Sequence, residues 1–243
     1  MKKPRLKSGS KVESAYPLNK FPNDFALNLG RNLIYILATK QPATLEGQEW
    51  EQVFASCVGG DWKPSNFGLD DVQLKQTAWG AKTVKSRDPI RQKTIRLISG
   101  RNSPFFSYGE KDPHALGAEK LGQIILEIWN ERVSDARSRF KDVRTVVLLK
   151  SEDFTTFSVF EEETLRYDFK EYLWEFNKNQ NLVGLDRTTN KPIFTWQPHG
   201  SQFTIHVEAP DKRVSIKIKK SPAMDRERIL KEVGFDSSWI EVQ

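Results

Sequence analysis

Asp71 and Lys82 flank a short turn, and together they are the pair in this chain best placed to do chemistry. Leu69-Asp70-Asp71-Val72-Gln73-Leu74 and Ala78-Trp79-Gly80-Ala81-Lys82-Thr83-Val84-Lys85 read as two strands, with Lys75-Gln76-Thr77 as the hairpin turn between them. An aspartate near the start of the first strand faces the middle of the second. Gly80 and Lys82 share one face of that strand, because side chains alternate with period two. A carboxylate and an ammonium converging there can hold a hard divalent cation with a water beside it. Mg²⁺ binds through one or two carboxylates plus substrate phosphate oxygens. It polarises the phosphate and acidifies bound water, while the ammonium orients that water or helps to deprotonate it. Asp70 and Asp71 are neighbours that the sequence does not rank.

The elements that must position this pair follow from apolar spacing. A helix is expected over 45–58, where Trp50, Val53, Phe54, Cys57 and Val58 form one stripe and Gly59-Gly60 stops it. At about 100° per residue, Glu51 flanks the stripe about 80° from its centre, and Glu46 lies within it on the first turn. Leu33 to Leu37 reads as a short element, helix or strand. Further strands are expected at 94–99, 144–150 and 155–161, with a long helix over 113–135 between the first two. Residues 182–186, 192–196, 203–208 and 214–218 read as short strands, and 225–233 as a terminal helix. The order describes a mixed α/β unit with a β-rich C-terminal extension. We divide it into a basic arm (1–22), flexible or loosely docked, a core (23–165) and a β-rich region (166–243).

The 243 residues carry a formal charge of +6, which becomes informative once located. Residues 1–20 hold six bases and one acid; 71–101 hold eight bases and two acids; 211–231 hold eight bases and three acids. Residues 151–175, with eight acids and two bases, offset the two basic stretches. Such segregation suits a polyanion better than the total suggests. Aromatic residues at 11% exclude a disordered chain. No apolar run reaches the roughly 20 residues of a membrane-spanning helix, and the basic N-terminus has no apolar segment of a secretory signal behind it. A single cysteine, Cys57 on the predicted apolar stripe, excludes an internal disulfide framework and reads as core. His114, His199 and His206 are scattered, and no phosphate-binding glycine loop or serine nucleophile elbow occurs.

The Asp71–Lys82 hairpin, preceded by Gly47-Gln48-Glu49-Trp50-Glu51, resembles the PD-(D/E)XK nuclease superfamily and, within it, the type II restriction endonucleases. The resemblance implies a central mixed β-sheet flanked by helices. It makes Asp71 the metal-binding aspartate, Lys82 the signature lysine, the Ala81 carbonyl a backbone ligand and Glu51 the accessory helix acid. Mg²⁺ is the implied cofactor, and double-stranded DNA cut at a specific site is the implied substrate. Bacterial cytoplasm and a homodimer are implied as well, a monomer remaining open and no protein partner being evident. Gly80 departs from the pattern, since it stands where the family's second acid belongs. That leaves a non-catalytic DNA-binding protein with a degenerate nuclease fold as the alternative.

DNA contacts are expected from three regions. Trp196-Gln197-Pro198-His199-Gly200-Ser201-Gln202-Phe203 is similar to stretches late in some restriction endonucleases, and Gln197, His199 and Gln202 could reach base edges. The Arg101-Asn102-Ser103 loop could do the same. Arg87, Arg91, Lys93, Arg96, Lys217, Lys219 and Lys220, with the arm, would contact phosphates, which position without specifying sequence.

Overall fold

The computed structural model describes residues 13–40, 42–63, 68–219 and 222–242; positions 1–12 of the expected arm and Lys220 lie outside them. The fold is mixed α/β, with two sheets and five α-helices among these residues. Helix α1 (Phe25–Thr39) places Phe25, Leu29, Leu33 and Leu37 on one buried stripe. The run at 33–37 is therefore the second half of a helix. The i, i+4 stripe begins eight residues earlier, so the run read alone looked like a short element. Helix α2 (Gly47–Val58) buries Trp50, Val53, Phe54, Cys57 and Val58 as expected, and Gly59 ends it in the left-handed conformation.

Strands β1 (Asp61–Trp62), β2 (Val72–Leu74) and β3 (Thr77–Lys85) form an antiparallel meander. After β4 (Thr94–Arg101) and the short helix α3 (Pro104–Tyr108) comes helix α4 (Ala118–Arg139). The helix expected from residue 113 starts later, because Pro113–Leu116 is a 3₁₀ turn and Gly117, at φ 75°, breaks the chain direction. Strands β5 (Asp142–Lys150) and β6 (Thr156–Glu163) follow, then β7 (Tyr172–Phe176), β8 (Leu182–Asp186), β9 (Pro192–Gln197), β10 (Gln202–Glu208) and β11 (Val214–Lys217), and helix α5 (Arg226–Glu232).

The first sheet runs β1-β2-β3-β5-β6-β11, and the second runs β4-β10-β9-β8-β7. Only the β3–β5 pair is parallel among the described strands, as the crossover through α4 requires. Trp79 and Ala81 of β3 and Val146 and Leu148 of β5 pack under α1 and α2. On the opposite face Val147 and Leu149 meet Ile95 and Leu97 of β4. The second sheet thus covers the first, and α4 closes its own core against Trp174, Phe194 and Phe203. Each sheet draws strands from both sides of residue 165. β4 pairs with β10, and β11 pairs with β6.

The distal half of the expected arm is anchored. Glu161 on β6 is wholly buried and accepts hydrogen bonds from Tyr16 Oη at 3.0 Å, Asn19 N at 2.8 Å and Trp79 Nε1 at 2.6 Å. Arg144 Nη1 pairs with the same carboxylate at 3.2 Å. Burial pushes the Glu161 pKa up while Arg144 and these donors oppose the shift. A buried carboxylate so fully partnered is costly to remove, because Tyr16, Asn19 and Trp79 would lose their acceptor and Arg144 would keep only Asp142 as a counter-charge. Glu161→Ala is expected to cost about 3–5 kcal/mol. That lowers the melting temperature by about 10 °C for a chain of this size. An unchanged thermal melt would show that the hub contributes nothing.

Candidate functional site

The site begins where β2 ends. Val72 is the first residue of β2 and pairs with Trp79, whereas β3 continues to Lys85. From Gly80 onward that edge of β3 has no β2 residue opposite it. The Asp71 carboxylate takes the place of a strand there, accepting the Ala81 N–H at 3.2 Å on Oδ2. Within a strand, a residue's N–H and C=O project to the same edge. The Ala81 carbonyl therefore faces the side that Asp71 occupies. Asp70 is also buried but turns to Arg139 of α4 in an ion pair. The two aspartates that the sequence left unranked are separated by their partners: Asp70 ties down α4, and Asp71 reaches the β3 edge.

Lys82 Nζ donates to the Gly68 carbonyl at 3.2 Å. Burial pushes its pKa below the usual lysine value; Asp71 and Glu51 pull it back up, and Arg132 pushes it further down. Two carboxylates and a guanidinium thus act on one amine. Glu51 is half-buried, takes the Trp62 indole N–H at 2.9 Å, and lines a cleft with Ala81 and Lys82. Glu46 serves the helix start instead, as N-cap, with its own N–H bonded to Glu49 Oε2 at 2.6 Å.

Gly80 has a steric explanation. A Cβ there would lie 2.4 Å from the Gly68 carbonyl oxygen and 3.1 Å from Leu69 Cα. The segment leading to Asp71 crosses directly over this position, and no acid fits in this backbone arrangement.

Two clefts meet at Lys82 and Ile98. One, of about 490 Å³, contains Gly47, Glu51, Ala81, Lys85 and Arg96. The other, of about 660 Å³, is lined by Gly68, Arg101, Arg132, Gln197, His199 and Gln202 among others. Gln202 stands opposite Arg101 on β4 and Gln197 on β9, so register puts these three side chains in one cross-strand row. Arg132 was not anticipated from the sequence. It is held by the Ser99 carbonyl at 3.1 Å and by Asn102 Oδ1 at 3.2 Å, and burial lowers its pKa while Asp71 raises it. A signal existed, because Arg132 continues the 125, 128, 129 spacing of the apolar stripe on α4, where a charge is out of place.

Other expected residues fall elsewhere. Asn102 is 0% exposed. Its amide bonds the Ile125 carbonyl at 2.9 Å and Arg132, its N–H bonds Ser201 O, and its carbonyl takes the Trp196 indole. It is a strut behind the cleft and does not reach bases, because burial in the core used all its polar groups. Arg87, Arg91 and Lys217 line a separate concavity of about 590 Å³ that also holds Asp88, Glu152 and Asp153. Lys93 and Lys219 are exposed and outside both clefts that meet at Lys82.

Among the described residues no three or more His, Cys, Asp or Glu side chains form a metal-holding group. The two acids that act on Lys82, Asp71 and Glu51, and the Ala81 carbonyl are all oxygen donors, the chemistry of a hard cation that completes its shell with phosphate and water and not of a protein-caged transition metal. Compared with models of protein families, with curated proteins and with solved structures, the chain matches none. No helix among the described residues is long and apolar enough to cross a membrane.

Two outcomes follow from this geometry. In a side-chain NMR titration, Asp71→Asn should move the Lys82 pKa down and Arg132→Ala should move it up. An unmoved Lys82 would show that these groups do not act on the amine. Gly80→Ala should destabilise the fold by about 1–3 kcal/mol in urea unfolding, as overpacking does. A wild-type midpoint would refute the close crossing.

Proposed function

We propose that this chain is a Mg²⁺-dependent endonuclease that hydrolyses phosphodiester bonds in double-stranded DNA at a specific site, in the manner of type II restriction endonucleases. The observation that carries the reading is Lys82, an amine pushed below its ordinary pKa within electrostatic reach of Asp71 and Glu51, at the junction of two clefts with basic linings. The succession α2, β2–β3 hairpin, β4, α4 and parallel β5 supports the resemblance in order, while β4 departs from a single core sheet by pairing with β10 in the second one. A bacterial cytoplasmic setting and a homodimer belong to the same proposal.

Asp71, Glu51 and the Ala81 carbonyl would hold Mg²⁺. When bound, the ion supplies Lewis-acid polarisation of the phosphate and acidifies a water. Lys82 sits beside these donors and, in its neutral form, can take a proton from the attacking water. Arg132, fixed by two acceptors, and Arg101 offer positive charge to the phosphate group. A loose row of Gln197, His199 and Gln202 brings donors and acceptors to the neighbouring nucleotide. The second reading, DNA binding without cleavage, draws on Gly80, where the crossing chain leaves no room for the family's second acid.

Incubation with plasmid DNA separates the two. Discrete fragments are expected with Mg²⁺ and none with EDTA. Asp71→Ala and Lys82→Ala should each reduce cleavage by about 10²-fold or more, the usual scale for loss of a positioned acid–base group. Salt-dependent binding should survive in both variants. Because the Lys82 pKa is depressed, the neutral amine increases as pH rises. The rate should therefore climb with pH and level off above that pKa. Tight binding with no cleavage in Mg²⁺ or Mn²⁺ would favour the second reading.

A further inference from the structure

We infer that the cleft of Gln197, His199 and Gln202 is a pocket for one unpaired nucleotide, held beside the phosphate that Lys82 addresses. This deepens the nuclease reading and rests on it for the role of Lys82. The shape of the surface is the first argument. Side chains that read duplex DNA are carried into the major groove, roughly 12 Å wide, by a protruding helix or ribbon. Here Gln197, His199 and Gln202 line a concavity instead. One wall is the row of Arg101, Gln202 and Gln197 from the second sheet. Another is Lys82 of β3 with Gly68 of the segment leading into β2, and Arg132 from α4 lines the cleft as well. A concavity takes what projects from a nucleic acid, and a base inside a duplex does not project.

Size and chemistry agree with that occupant. The volume of about 660 Å³ lies in the range of pockets that enclose a single small organic ligand. Gln197 and Gln202 each present an amide donor and an acceptor, and His199 adds a ring nitrogen, which suits the hydrogen-bonding edge of one base. Ile98, 55% exposed, lines both clefts at their junction and offers an apolar surface to the face of a base or sugar. Lys82, Arg101 and Arg132 provide the charge for the attached phosphate. Gly68, Gly100 and Gly200, all with positive φ, carry no side chains that would narrow the cleft they line.

Equilibrium binding in EDTA tests the pocket without any cleavage. The probes are a labelled duplex, fully paired, and the same duplex carrying a single-nucleotide bulge. Wild-type protein should bind the bulged duplex at least tenfold more tightly. The preference should fall toward one in Gln197→Ala and Gln202→Ala, with each variant's fold verified by a thermal melt. Equal affinity for the two duplexes would overturn the pocket, as would a preference unchanged in the folded variants. The nuclease reading fails separately. Bulge preference without Mg²⁺ cleavage removes the nuclease and leaves the pocket. Mg²⁺ cleavage of paired DNA without bulge preference removes the pocket alone. Absence of binding to either duplex would overturn both.

Discussion

The site depends on one close crossing, that of the Gly68–Leu69 segment over Gly80. A methyl group at residue 80 would lie 2.4 Å from the Gly68 carbonyl oxygen, so the crossing exists only because that strand position has no side chain. Three consequences meet there. The Gly68 carbonyl is brought within 3.2 Å of the Lys82 amine. The chain then reaches Asp71 with its carboxylate on the open edge of β3, against the Ala81 N–H. Leu69, between them, packs into the core under α4. The same glycine that departs from the nuclease pattern is the residue that lets the site assemble as it does.

Charge is organised around this crossing more by burial than by totals. In the sequence the acidic stretch at 151–175 only offsets the basic ones. Its Glu161 is instead drawn inside, where it joins Arg144 to Tyr16 and Asn19 and so fastens the N-terminal segment to the first sheet. Its Glu163 pairs with Arg137 of α4. Its Glu162 is half-buried, and loss of solvent raises its pKa to about 7. Several basic residues from 71–101, by contrast, remain on the walls of the two clefts that share Lys82.

Much of the fold was legible in local pattern. The α2 stripe, the β2–β3 hairpin and most strands are short-range features, written in spacings of two or of three and four residues. The hairpin also presented Asp71 and Lys82 as candidates. What escaped were features whose cause lies elsewhere in the chain. The first half of α1 is not visible in the 33–37 run alone, because Gly30-Arg31-Asn32 separates that run from Phe25 and Leu29. The break at Gly117 needed the backbone angle to be seen. Asn102 looked like an exposed loop residue until Ile125, Trp196 and Ser201 closed around it.

By itself, the sequence determined most of the elements, the basic stretches and a hairpin carrying Lys82 with an acid at 70 or 71, because these depend on neighbours along the chain. Tertiary structure alone decided which aspartate faces the β3 edge, since Asp70 and Asp71 differ only in what lies across from them: Arg139 for one, Ala81 for the other. It also brought Arg132 from α4 and the Arg101–Gln202–Gln197 row from the second sheet to the same cleft as Lys82. Those encounters join residues up to 134 positions apart, as Gly68 and Gln202 are, and are set by sheet register and helix packing, which no local window contains.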